Sequence, residues 1–210
     1  MEYRSIVWRS SWSVFMLLAT LVAIFSLRYG LPTVPFATLN NFVVHRTILI
    51  VHAISASIAL LIGPWQFLPN MRQRRLWLHR INGRIYCTAV LVAWIVSIPM
   101  AMHAETGRLA SAGFLLLGVS WITCTSAAVI FILCGKISSH RRWMIRSYAL
   151  TAAAISLRIY MPLSGALGIG FEDAYPVVAW LCWVPNLLFA EIILIYSDRR
   201  PNMGSAITAP

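Results

Sequence analysis

The stretch from Ala110 to Cys134, ASAGFLLLGVSWITCTSAAVIFILC, runs 25 positions without a charged side chain. As a helix it extends ~37 Å, more than the ~30 Å of a bilayer's hydrocarbon core. An amphipathic helix of a water-soluble domain returns a polar residue every turn or so. This stretch does not, so its natural solvent is lipid. Only 11% of the 210 residues are charged and 60% are hydrophobic. Soluble domains carry about 25% charged residues. So few charges do not clothe a water-facing surface.

Outward from this stretch, five more apolar runs of roughly 18–25 residues fit the same requirement. The sequence predicts helices over residues 11–27, 42–67, 80–102, 110–134, 142–163 and 176–196. The connectors are short and leave no room for a soluble domain. The expectation is a single all-α integral membrane domain over residues 1–210, a six-helix bundle rather than a β-barrel. The first apolar run follows Arg4 and Arg9 and lacks a small-residue cleavage site, so it reads as a retained first helix.

The formal net charge of +11 is sorted by side. Of the 17 basic residues, 13 lie at the N-terminus, the second connector, the fourth connector or the C-terminus. The other four are Arg28, Arg46, Arg108 and Arg158. By the positive-inside rule the 13 face the cytoplasm, which puts both termini there. Charges that punctuate apolar runs are topology signals and headgroup contacts, so no nucleic-acid partner is expected. Cys87, Cys124, Cys134 and Cys182 sit in or beside apolar runs without CxxC spacing, and read as small buried side chains.

The five histidines divide by membrane side. His79 and His140 open the third and fifth helices at the basic face. His103 lies 24 residues beyond His79, or ~36 Å along the same helix. His52 lies inside the second helix, and His45 is seven residues before it on the same face. A polar ring inside an apolar helix needs a partner or a function. Two histidine pairs on opposite sides, His52 with His103 (or His45) and His79 with His140, suit two haems ligated by imidazoles from different helices. Arg80, Arg84, Arg141 and Arg146 beside the basic-side pair suit the anionic propionates. The structural alternative is equally concrete. Interface histidines contact headgroups, and the arginines follow from topology.

Glu191 lies seven residues before Asp198, about 10 Å inside the end of the last helix. A carboxylate at that depth must be paired or protonated, and Arg146 has matching depth for a structural ion pair; the functional alternative is a proton relay or a quinone contact. Arg158 and Arg46 suit a cofactor carboxylate or an acidic substrate, or snorkel to the interface. Pro185-Asn186 predicts a kink in the last helix. A weak echo links His79-Arg80, Arg84 and Tyr86 to His140-Arg141, Arg146 and Tyr148.

The strings Gly63-Pro64-Trp65-Gln66-Phe67, Leu78-His79-Arg80-Ile81-Asn82-Gly83-Arg84-Ile85-Tyr86 and His140-Arg141-Arg142-Trp143-Met144-Ile145-Arg146-Ser147-Tyr148-Ala149-Leu150-Thr151 resemble a bacterial family of predicted membrane proteins classed as a domain of unknown function. Trp183-x-Pro185-Asn186 followed by Ala190-Glu191 resembles its last helix. The resemblance implies a multi-pass protein of the bacterial inner membrane and no particular activity. More loosely, the histidine positions resemble dihaem b-type transmembrane cytochromes. They depart from those in placing two histidines at opposite ends of one helix.

The leading expectation is a haem b-binding electron-transfer protein or membrane reductase, working in the lipid bilayer with a quinol or another redox partner, and with quinone as a possible second ligand. Its alternative is a cofactor-free bundle acting as assembly factor, carrier or subunit of a larger complex. A metal enzyme built on His79 and His140 is weaker, because carboxylates are scarce on that face.

Overall fold

The fold comes from a computed structural model, which describes residues 2–30 and 46–198. Among these residues the chain is helical and contains no strand. Helix α1 spans Glu2–Leu27, α2 Arg46–Gln66, α3 Pro69–Arg74, α4 Leu76–Met102 and α5 Arg108–Leu133. Then follow α6 Ile137–Thr151, α7 Ala153–Ala166, α8 Phe171–Leu181 and α9 Val184–Asp198. His45, the first residues expected for the second helix, and Arg199 and Arg200 lie outside the described residues.

Four runs are long and apolar enough to cross a membrane: α2, α4, α5 and the continuous stretch Phe171–Asp198. Trp12–Leu27 is a shorter apolar stretch. The polarity is arranged for lipid. Large side chains such as Leu116, Val119 and Ile130 of α5 point outward. The buried contacts are made by small residues, among them Ala19, Ala23, Ala53, Ala59, Ala89, Ala93 and Ala128. Without a hydrophobic drive between helices in lipid, association rests on close packing, and small residues permit it. Ser57 Oγ donates to the Ala23 carbonyl at 3.3 Å, tying α2 to α1. Helix α5 packs on α4, α6 and α8, and α4 packs on α2, so the bundle closes around α4 and α5.

The last two expected helices are each interrupted. Helix α6 stops at Thr151 and α7 starts at Ala153. Thr151 Oγ1 donates back to the Ser147 carbonyl at 3.0 Å, a side-chain bond that competes with the helical ladder. Helix α8 stops at Leu181 and α9 resumes at Val184. Pro185 has no N–H to give the Leu181 carbonyl one turn earlier, which accounts for that break. Asn186 braces the two interruptions. Its Nδ2 donates to the Cys182 carbonyl at 3.0 Å and the Ala149 carbonyl at 3.4 Å, while Ser156 Oγ donates to its Oδ1 at 3.1 Å. Cys124 and Cys182 are buried and Cys87 half-buried, whereas Cys134 at the end of α5 is exposed.

Candidate functional site

On α2, Leu49, His52, Ala53, Ala56, Ser57 and Leu60 recur at helical spacing and form one wall of a cavity of about 420 Å3. Ser97, Met100 and Ala101 of α4, Ala104 just beyond it, and Phe114, Leu117, Gly118 and Trp121 of α5 form the next walls. Thr151, Leu157, Arg158, Tyr175 and Cys182, from the late helices and the turns between them, complete the lining. The cavity extends to the helix ends that carry Tyr29, Glu105 and Phe171. Its size lies within the range of small-molecule and cofactor sites, and its lining is mainly apolar with a few polar groups.

Two polar groups give it chemical character. His52 Nδ1 lies 3.0 Å from the Ala93 carbonyl, an acceptor, so this nitrogen carries the proton. The Nε2 lone pair is therefore the free one. Arg158 Nη1 donates to the Ala154 carbonyl at 3.0 Å. Arg158 takes no part in the salt bridges of Arg142 with Asp198 and of Arg146 with Glu191. Glu105 lines the same cavity.

Beneath the cavity lies a buried polar network. Tyr86 OH is 2.8 Å from both Ser147 Oγ and Thr151 Oγ1. Trp121 Nε1 donates to Thr151 Oγ1 at 2.9 Å, and Thr125 Oγ1 is 2.7 Å from Ser147 Oγ. These bonds join α4, α5 and α6. Thr151 is the shared node. Thr151→Val is expected to leave Tyr86 and Trp121 short of a partner and to cost about 1–3 kcal/mol. Thermal melting of the detergent-solubilised variant checks this, and an unchanged midpoint would contradict it.

The other histidines are placed differently. His103 caps the end of α4, where it is exposed, and its Nδ1 donates to the Pro99 carbonyl at 2.9 Å. It is not among the residues lining the cavity. His140 Nδ1 donates to the Ala128 carbonyl at 2.8 Å, pinning the start of α6 to the end of α5. His79 lies close enough to His140, Arg72 and Arg80 to sense their charges. Its Nδ1 is buried without a partner. Arg80, Arg84 and Arg141 are exposed. Arg146 is committed to Glu191 through Nε–Oε1 at 2.5 Å and Nη2–Oε2 at 2.9 Å, and its guanidinium lies 4.8 Å over the Trp143 ring. Among the described residues no three His, Cys, Asp or Glu side chains gather as a metal-binding group.

Sequence reasoning assigned no role to Tyr86, Trp121, Thr125, Ser147 or Thr151. The available signal was spacing. Trp121 with Thr125, and Ser147 with Thr151, are each four apart inside apolar runs, so each pair shares a helix face.

A family described as "Predicted membrane protein (DUF2306)" matches residues 49–194. Neither the comparison with curated proteins nor that with solved structures finds a match. The matched segment holds the cavity's His52 and Arg158, the polar network and the Arg146–Glu191 pair.

Proposed function

We propose, for a chain that belongs to the DUF2306 family of predicted membrane proteins, that it binds haem b in the cavity through His52 and serves in membrane electron transfer. The observation that carries this reading is the bond from His52 Nδ1–H to the Ala93 carbonyl at 3.0 Å. A metal-ligating histidine almost always donates its second ring nitrogen in this way, which fixes the ring and makes the ligating nitrogen more basic. The Nε2 electron pair is then directed to iron. Arg158, which lines the same cavity, supplies a cation for a propionate. The apolar lining excludes water and so tunes the potential. In this reading the chain crosses the bacterial inner membrane six times. The basic ends of α4 and α6 and both termini are cytoplasmic, and the cavity sits in the outer half.

The test is haem content. Protein expressed with ample haem and purified in mild detergent is expected to carry one haem per chain by pyridine haemochromogen assay, and a value near zero contradicts the reading. Topology has its own check. Cys134 is exposed at the basic end. A membrane-impermeant maleimide is expected to label it in inverted vesicles and not in right-side-out ones, with Cys134→Ser as control. The opposite pattern reverses the orientation.

A second reading rests on Arg158. A cationic side chain in an apolar cavity also suits a cofactor-free carrier of an amphipathic anion or a quinone. Purified protein with a featureless visible spectrum, and with a lipid-soluble ligand detected by mass spectrometry, would favour it.

A further inference from the structure

At the far end of the bundle from the cavity, Gln66 closes α2. It is only 5% exposed, and neither its Nε2 nor its Oε1 has a hydrogen-bond partner. An amide so buried and unmatched is rare, because each unmade bond costs the desolvation of its atom. Two neighbours share the condition: His79 Nδ1 and Arg72 Nε are also buried without partners.

The three belong together. A methyl group at Gly83 would stand 3.9 Å from Gln66 Oε1. Gly83 lies one turn beyond His79 on the same face of α4. His79 senses the charge of Arg72, and Arg72 that of Arg141. Burial and the nearby Arg141 both work against the Arg72 charge, lowering its pKa. Two carboxylates near this end are already engaged, Glu191 by Arg146 and Asp198 by Arg142.

We infer that Gln66, Arg72 and His79 form a binding site for a phosphate group. Three groups on neighbouring turns there are free to donate: the Gln66 amide, the Arg72 Nε–H and the His79 ring N–H. An anionic oxygen satisfies them and offsets the unrelieved positive charge. Gln66 Oε1, an acceptor, suits a hydroxyl carried beside the phosphate. A phosphatidylglycerol headgroup has both features, and so does free hydrogen phosphate. The site lies at the opposite end of the bundle from His52 and does not depend on haem.

Thermal melting of the full chain in detergent tests the proposal, with inorganic phosphate, phosphatidylglycerol or phosphatidylcholine added. At tenfold above the dissociation constant, the productive ligand is expected to raise the midpoint by roughly 3–5 °C. A rise with phosphate alone identifies a soluble source. A rise with phosphatidylglycerol and not phosphatidylcholine identifies the lipid. Gln66→Leu and Arg72→Gln are each expected to abolish the shift. Gln66→Leu is also expected to melt no lower than wild type without ligand, because it removes two unmatched polar atoms. No shift with either phosphate compound overturns the proposal, as does an equal shift with phosphatidylcholine or an undiminished shift in Arg72→Gln, whose side chain lies outside the membrane-spanning runs.

Discussion

Gly63→Ala is expected to lower the melting temperature of the solubilised protein by roughly 8–12 °C. A Cβ at Gly63 would fall 2.1 Å from Cε2 and 2.3 Å from Cδ2 of Tyr148. No side chain tolerates that approach, so the ring or the helix must move. The ring has nowhere to go. Phe15, Phe67 and Tyr86 surround it, with ring centroids 5.9, 5.6 and 6.4 Å away. Its hydroxyl donates to the Leu60 carbonyl at 3.0 Å, one turn before Gly63 on α2. Displacing the ring therefore adds a lost buried hydrogen bond to the overpacking, together about 3–4 kcal/mol. Gly165 makes the control, because nothing stands within 4 Å of its added methyl. Gly165→Ala is expected to melt close to wild type. A Gly63→Ala protein that melted with it would show that α2 and α6 are not locked through Tyr148.

The second large effect falls on His52. His52→Ala is expected to abolish haem binding, since it removes the nitrogen that Ala93 orients. Its bond to Ala93 also contributes to stability, so the same variant is expected to lose about 1–2 kcal/mol and to melt lower. Ligation separates from packing by rescue. Exogenous imidazole enters the space the side chain leaves and is expected to restore the haem spectrum. His103→Ala makes the complementary prediction. His103 is exposed and bonded to Pro99 outside the cavity lining, so the spectrum is expected to stay as in wild type. Haem loss in His103→Ala with retention in His52→Ala would reverse the assignment.

The helical, lipid-solvated character was legible because charge-free length is a property of the chain alone. Ala110 to Cys134 announces a long apolar helix, and α5 occupies Arg108–Leu133. Depth was legible for the same reason. Rise per residue places Glu191 about 10 Å inside α9, where Arg146 meets it. Pro185 marked a kink by its missing N–H. The break at Ala152 had no such mark, since no proline or glycine stands there; Thr151 beside it bonds backward to Ser147 and also serves Tyr86 and Trp121 from two other helices. The cavity was hidden for a related reason. His52 and Arg158 stood out singly as polar residues in apolar runs. That they share a space depends on the tertiary arrangement, which brings residues of α2 and of the late helices to one cavity. Gln66 carries no distinguishing mark in the sequence. Only its burial without partners sets it apart.

The measurement that bears most directly on His52 is the dithionite-reduced minus oxidised absorption spectrum of the purified protein from haem-sufficient cells. A Soret band that sharpens on reduction, with a resolved α-band that disappears in His52→Ala, is the predicted result. A flat visible spectrum from folded wild-type protein, unchanged by added haem, would contradict it.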